Sequence, residues 1–195
     1  SKKETLFNLS SSGIIDIDGV DFEGKNIISG TGDVVVNNST ITSTGNIISG
    51  VRDITITNST LNTTGNNVSG TRYMNIQDTT LTGANTITNT GDTVLKNVTA
   101  TATQTALQVS GELSVENVDL TGTNYAFYSN SDKTITFRNC ALKSSSTAAY
   151  NNSTGTINMI DTTINGNIIN NNASGTLNIS KDALSEYVIV GKIVN

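Results

Sequence analysis

The side chains with the most chemistry in them are carboxylates that recur at a fixed distance along the chain. Asp33 and Asp53, then Tyr73, then Asp92 and Glu112 follow one another at steps of about 20 residues. If coils of that length stack, Asp33 with Asp53 and Asp92 with Glu112 fall about 5 Å apart, close to the separation of a retaining carboxylate pair in a glycosidase. The competing reading is structural: turn entries favour Asp, and Arg52 partly neutralises the stripe. The turns between repeats are short and uniform, which leaves little chain to wall in a sugar.

A second acidic group, residues 16–23 (DIDGVDFE), superficially resembles a calcium loop. Strand alternation turns Asp16 and Asp18 outward on one strand and Asp21 and Glu23 outward on the next, and the D-x-[DN]-x-[DN]-G order of an EF-hand is missing. A solvated, charged first coil without a metal is expected. Charge at the end of a stack also discourages end-to-end pairing.

Aromatic residues are few and gather late, at Tyr125, Phe127, Tyr128, Phe137, Tyr150 and Tyr187. Strand parity turns Phe127 inward and Tyr128 outward, and Tyr150, one repeat later, lies outward on the next coil. Tyr128 and Tyr150 are therefore the candidate ligand-binding residues: neighbouring tyrosines offer apolar faces and polar tips to a sugar ring or a partner protein. The alternative is ordinary cross-strand aromatic pairing, which also favours sheets.

The chain has no His, which removes the Ser/His/Asp triad, a Cys/His dyad and His-ligated zinc. Cys140 falls in an inward column with Ser59, Val98, Val118 and Thr162, where a small buried thiol fits. No catalytic residue, cofactor or metal is assigned. A net charge of −5 and a pI near 4.5 point away from nucleic acid, whose binders concentrate Lys and Arg on one face. The longest apolar runs, residues 125–128 and 187–190, are far short of the roughly 20 residues that span a bilayer. No charged segment followed by an apolar one opens the chain, so a secretion signal was either removed or never present.

Every one of these positions is set by a repeat. Charged residues are only 14% and Pro and Trp are absent, a polar bias that by itself suggests disorder, yet Ile, Val and Leu recur in an ordered pattern that disordered chains lack. The frame is I-x-I-x-N-x-x-[I/L], a polar stretch with Gly, a second apolar group, and Gly again. It begins at Ile15, Val34, Ile54, Met74, Thr93, Leu113, Ile135, Ile157 and Leu177. Self-similarity at about 20 residues is the mark of a solenoid, and the alternation Ile54-Thr55-Ile56-Thr57 has strand period. Leucine-rich repeats share the length but need several Leu per repeat, whereas β-branched residues dominate here. The expected fold is all-β, a β-solenoid of about nine coils with ~20 residues and three short strands per coil. In the coil of residues 53–72, Ile54, Ile56, Leu61 and Val68 point inward while Thr60 and Asn62 point outward.

The corner between the first two strands is occupied by Gly19, Asn38, Asn58, Asp78, Asn97, Asn117, Asn139, Asp161 and Lys181. Asn and Asp tolerate a left-handed backbone at a tight corner, and stacked amides can bond from coil to coil. The N-x-[S/T] triplets at Asn38, Asn58 and Asn97 read as by-products of this ladder. Outward on the second strand, Thr-x-Thr pairs such as Thr40 with Thr42 and Thr80 with Thr82 resemble the ice-binding face of β-solenoid antifreeze proteins. Asn62 and Asp119 break that array, and Thr suits exposed strands in any case.

Motifs such as ITITNSTL, LSVENVDL and ITFRNCAL, with an Asn turn between two strands, resemble the right-handed parallel β-helix superfamily typified by pectate lyases, over residues 13–190. That resemblance implies a right-handed parallel β-helix and says little about activity, because many functions sit on the scaffold. The Asn/Thr/Gly-rich, acidic, Cys-poor repeats, as in GTINMIDTTINGNIINNNASGTLNIS, also resemble passenger segments of bacterial autotransporters and other surface adhesins. Residues 1–12 are expected to cap the first coil, and residues 13–195 to form one solenoid domain. Residues 191–195 read as the start of another coil, either a closing strand or the point where the chain is cut from something longer. The expected function is a secreted or surface-displayed, non-enzymatic adhesin or stalk module whose flat faces meet a host or cell-surface glycan or protein. The alternative is a polysaccharide-binding or polysaccharide-degrading β-helix protein, such as a lyase, hydrolase or phage depolymerase fragment.

Overall fold

A computed structural model describes residues 5–10, 12–172, 174–181 and 189–194. Among these residues the regular structure is entirely strand. The strands pair in parallel and stack as a β-solenoid of about nine turns, about 20 residues apart. The nine repeat starts expected from the sequence form one continuous column: Ile15 pairs with Val34, Val34 with Ile54, Ile54 with Met74, and so on to Ile157 with Leu177.

Each coil contributes mostly apolar side chains to three such columns, and near-equal coil length, with register shifts where lengths differ, keeps like residues over like. The second column runs from Phe22 and Ile41 through Leu61 and Leu81 to Ile164 and Ile189. The third begins with Phe7, Ile28 and Ile48. Ile41, Ile54, Ile56, Leu61, Met74 and Ile76 are fully buried, so the core is a prism of stacked, mostly apolar rungs.

The third strand departs from strict alternation. Ile27 with Ile28, Ile47 with Ile48, Ala106 with Leu107 and Ala126 with Phe127 are each consecutive and each buried. Two adjacent inward residues reset the parity, so the residues on either side of the pair both face out.

At the first corner Asn38, Asn58, Asp78, Asn97, Asn117, Asn139 and Asp161 all have φ between 48° and 54°, and Gly19 has φ 64°. This is the left-handed region that Asn, Asp and Gly enter at least cost. Corner amides bond along the stack where Asn97 donates to Asp78 (2.8 Å) and Asn117 donates to Asn97 (3.2 Å). A second relay lies one residue further on, inside the wall. Ser39, Ser59 and Thr79 each donate a hydroxyl hydrogen to the carbonyl two residues back, at 2.6–2.7 Å. Each also accepts an N–H from the coil before, from Val20, Ser39 and Ser59 respectively. Cys140 takes the same place with its thiol 3.2 Å from the Arg138 carbonyl oxygen, and burial pushes that thiol up to about 11.

Three short strands per coil hold for the early coils, but Tyr73–Asn89 and Asp92–Val109 are each one unbroken strand that turns the corners. Pairing such as Gln77 with Lys96 and Thr79 with Val98 continues on both sides of the first bend, and the register shifts by one residue between Gly83 and Asn85. The segment expected as a cap supplies the strand Thr5–Leu9, which pairs with Asn26–Gly30 on the third face. Phe7 packs edge-on against Phe22 there, with centroids 5.8 Å apart. At the other end, Ile193 pairs with Ile168 and Val194 with Ile169. Ile193 and Val194 thus lie on the third face of the ninth coil. Tyr187 lies outside the described residues.

Candidate functional site

The acidic column holds the carboxylates that a glycosidase would use. Asp33 lies under Arg52 of the next coil, which grips it through two parallel bonds, Nε to Oδ1 at 2.8 Å and Nη2 to Oδ2 at 2.6 Å. Asp53 is held in the same way by Arg72, with Nε donating to Oδ1 at 2.6 Å and Nη2 donating to Oδ2. Asp53 also accepts the Tyr73 N–H, and Asp92 accepts the Glu112 N–H at 3.0 Å. The hydrogen bonds from Arg52 and Arg72 hold Asp33 and Asp53 below the ordinary carboxylate value, outweighing the opposing effect of burial. A general acid needs its carboxyl raised so that it is protonated near neutrality. Here the geometry shifts both carboxyls the other way, and the pairs act as electrostatic rungs between coils.

Because the folded value lies below the unfolded one of about 4, each pair stabilises fully above that pH. The contribution is lost as pH falls from about 4 through the folded value. The Asp33→Asn/Asp53→Asn variant is therefore expected to melt below wild type at pH 7, with the gap closing as the pH is lowered from 4 to 2. The shift is small because the side chains of Arg52 and Arg72 are 39% and 61% exposed. Melting temperature against pH is the check, and a gap independent of pH would count against an ionic role.

In the first coil, Asp16 and Asp18 are exposed on Ile14–Asp18, and Asp21 and Glu23 on Asp21–Gly24. Their carboxylates are divided between two faces. Among the described residues no group of three or more His, Cys, Asp or Glu converges on a point that would hold a metal ion. The threonine columns are in register, Thr40 with Thr60 and Thr80 with Thr99. They end where Asp119, then Ala141 and Lys143, replace threonine.

The tyrosines form the most distinctive surface feature. Tyr128 and Tyr150 are register partners on the third face, with ring centroids 5.1 Å apart and planes 9° from parallel. Rings side by side in one plane would overlap at that distance, so the pair is stacked face to face. Tyr125 joins them edge-on, 5.2 Å from Tyr128 and 5.5 Å from Tyr150. All three are half-buried. Burial first, then the neighbouring Tyr150 and Tyr125, raises the Tyr128 phenol above its ordinary value.

Simple alternation does not bring Tyr125 to this site. The buried pair Ala126 and Phe127 does, by resetting parity so that Tyr125 and Tyr128 both face out. The same signal is present in the sequence as Ile27-Ile28 and Ile47-Ile48 in earlier coils. Gly122 supplies the bend before the strand, since a Cβ there would overlap the Tyr125 carbonyl oxygen. Phe127, beneath the cluster, packs edge-on against Phe137 across the core at 4.8 Å. The adjoining rungs in the Tyr128 column are Gln108 below and Ile169 above Tyr150. The cluster is a compact aromatic block carrying three phenol hydroxyls. Comparison with known protein families, with curated proteins and with solved structures found no match to the chain.

Proposed function

We propose that this chain is a non-enzymatic adhesin or stalk module, displayed outside the cell, that makes contact through the block of Tyr125, Tyr128 and Tyr150. The observation that carries the reading is this block, stacked and half-buried on the third face. Tyrosine supplies contact area at low conformational cost together with a hydrogen-bonding tip, which suits polar partners such as glycans or protein surfaces. The Arg-clamped state of Asp33 and Asp53 favours contact over polysaccharide cleavage. The flat, regular faces hold the block on rigid strands, so little ordering cost falls on binding.

A glycan array probed with wild type and with the Tyr128→Ala/Tyr150→Ala variant tests this. Wild type is expected to retain at least one glycan class, and the variant to lose about tenfold or more in affinity, the loss typical of an aromatic anchor pair. Equal binding by the variant, or release of shortened sugars by wild type, would overturn the reading.

A further inference from the structure

We infer that Tyr128 and Tyr150 form a site of oxidative cross-linking, at which the two rings join into a dityrosine that staples adjacent coils. Three observations carry it. The two residues are register partners on parallel strands, so their backbones are held one strand spacing apart. Their rings are 5.1 Å apart and within 9° of parallel, which lets two phenoxyl radicals overlap face to face. Both are half-buried rather than sealed, so a one-electron oxidant reaches them. Tyr125 is equally near but stands at 75° and 66° to the other rings, an orientation without that overlap.

The chemistry balances with hydrogen peroxide as oxidant and a haem peroxidase as catalyst. Each phenol loses one electron and one proton to the oxidised haem. The two phenoxyl radicals join at the ring carbons beside their oxygens, making one carbon–carbon bond. Each of those carbons then passes its hydrogen to its own oxygen, which restores both phenols. One peroxide is reduced to two waters, and the chain is lighter by two hydrogen atoms. Because the partners are preorganised within one chain, coupling is intramolecular and independent of protein concentration.

The test treats dilute protein with horseradish peroxidase and hydrogen peroxide, digests it with trypsin and reads the peptides by mass. Cleavage at Lys96, Lys133, Lys143 and Lys181 puts Tyr125 and Tyr128 on one peptide, residues 97–133, and Tyr150 on another, residues 144–181. The expected product is a monomer in which these two peptides are joined with loss of two hydrogens. The Tyr125→Phe variant is expected to keep this product, and Tyr128→Phe and Tyr150→Phe to lose it. The inference is overturned if covalent dimers dominate, if the link lies only within residues 97–133, if Tyr125→Phe abolishes the product, or if wild type gives none while free tyrosine in the same tube couples.

Discussion

Phe127→Ala is expected to destabilise the solenoid by about 3–5 kcal/mol, towards the upper end of that range for a buried Phe truncation. Phe127 is fully buried and edge-packed on Phe137, so the substitution removes both the transferred area and the ring contact. In a globular core part of the resulting cavity would close by collapse. Here the walls are parallel strands fixed to their neighbours by coil-to-coil hydrogen bonds, and the register partner above is Ala149, too small to fill the space. The void therefore persists. Solenoid stability is close to a sum of coil and nearest-neighbour terms, so the loss concentrates in the coils around residues 113–156. Urea unfolding followed by circular dichroism is expected to show a lower midpoint, and Phe127→Leu a smaller loss than Phe127→Ala because it leaves a smaller cavity. Equal midpoints for wild type and Phe127→Ala would mean that the ring is not in the core.

Most of the scaffold was legible in the sequence because it depends on two local signals that repeat. Alternating β-branched residues such as Ile54 and Ile56 give the inward rungs, and Asn or Asp at one position per coil gives the left-handed corner. Both are properties of residues close together in the chain. What escaped was what depends on neighbours one coil away. Arg52 was visible as a partial neutraliser, but the two-pronged grip of Arg52 on Asp33, repeated by Arg72 on Asp53, exists only once the coils are stacked. The continuous strands through residues 73–109 likewise have no counterpart in the sequence signals that mark the corners.

The site was legible in part for the same reason. The spacing of Tyr128 and Tyr150 placed both on one face, as the register has it. Tyr125 was lost because alternation was carried through Ala126 and Phe127, where two adjacent residues are buried. Its edge-on contacts add a third ring to the expected pair.

The largest expected effect, and the most direct test of the stacked-coil structure, comes from deleting one coil. Removing residues 54–73 joins Asp53 to Met74, which is the register partner of Ile54, so every later residue keeps its column and the tyrosine block is untouched. Removing only residues 54–63 instead deletes the first two strands of that coil, putting the turn residues 64–67 where first-strand residues belong and Val68 where the corner belongs. It exposes apolar rungs and forces corner residues off their left-handed positions. Thermal unfolding of the two deletions, with circular dichroism as the probe, is the measurement. The one-coil deletion is predicted to keep the wild-type β signal per residue and a single cooperative transition, and the half-coil deletion to lose both. Equal damage from the two deletions would contradict a solenoid of interchangeable coils.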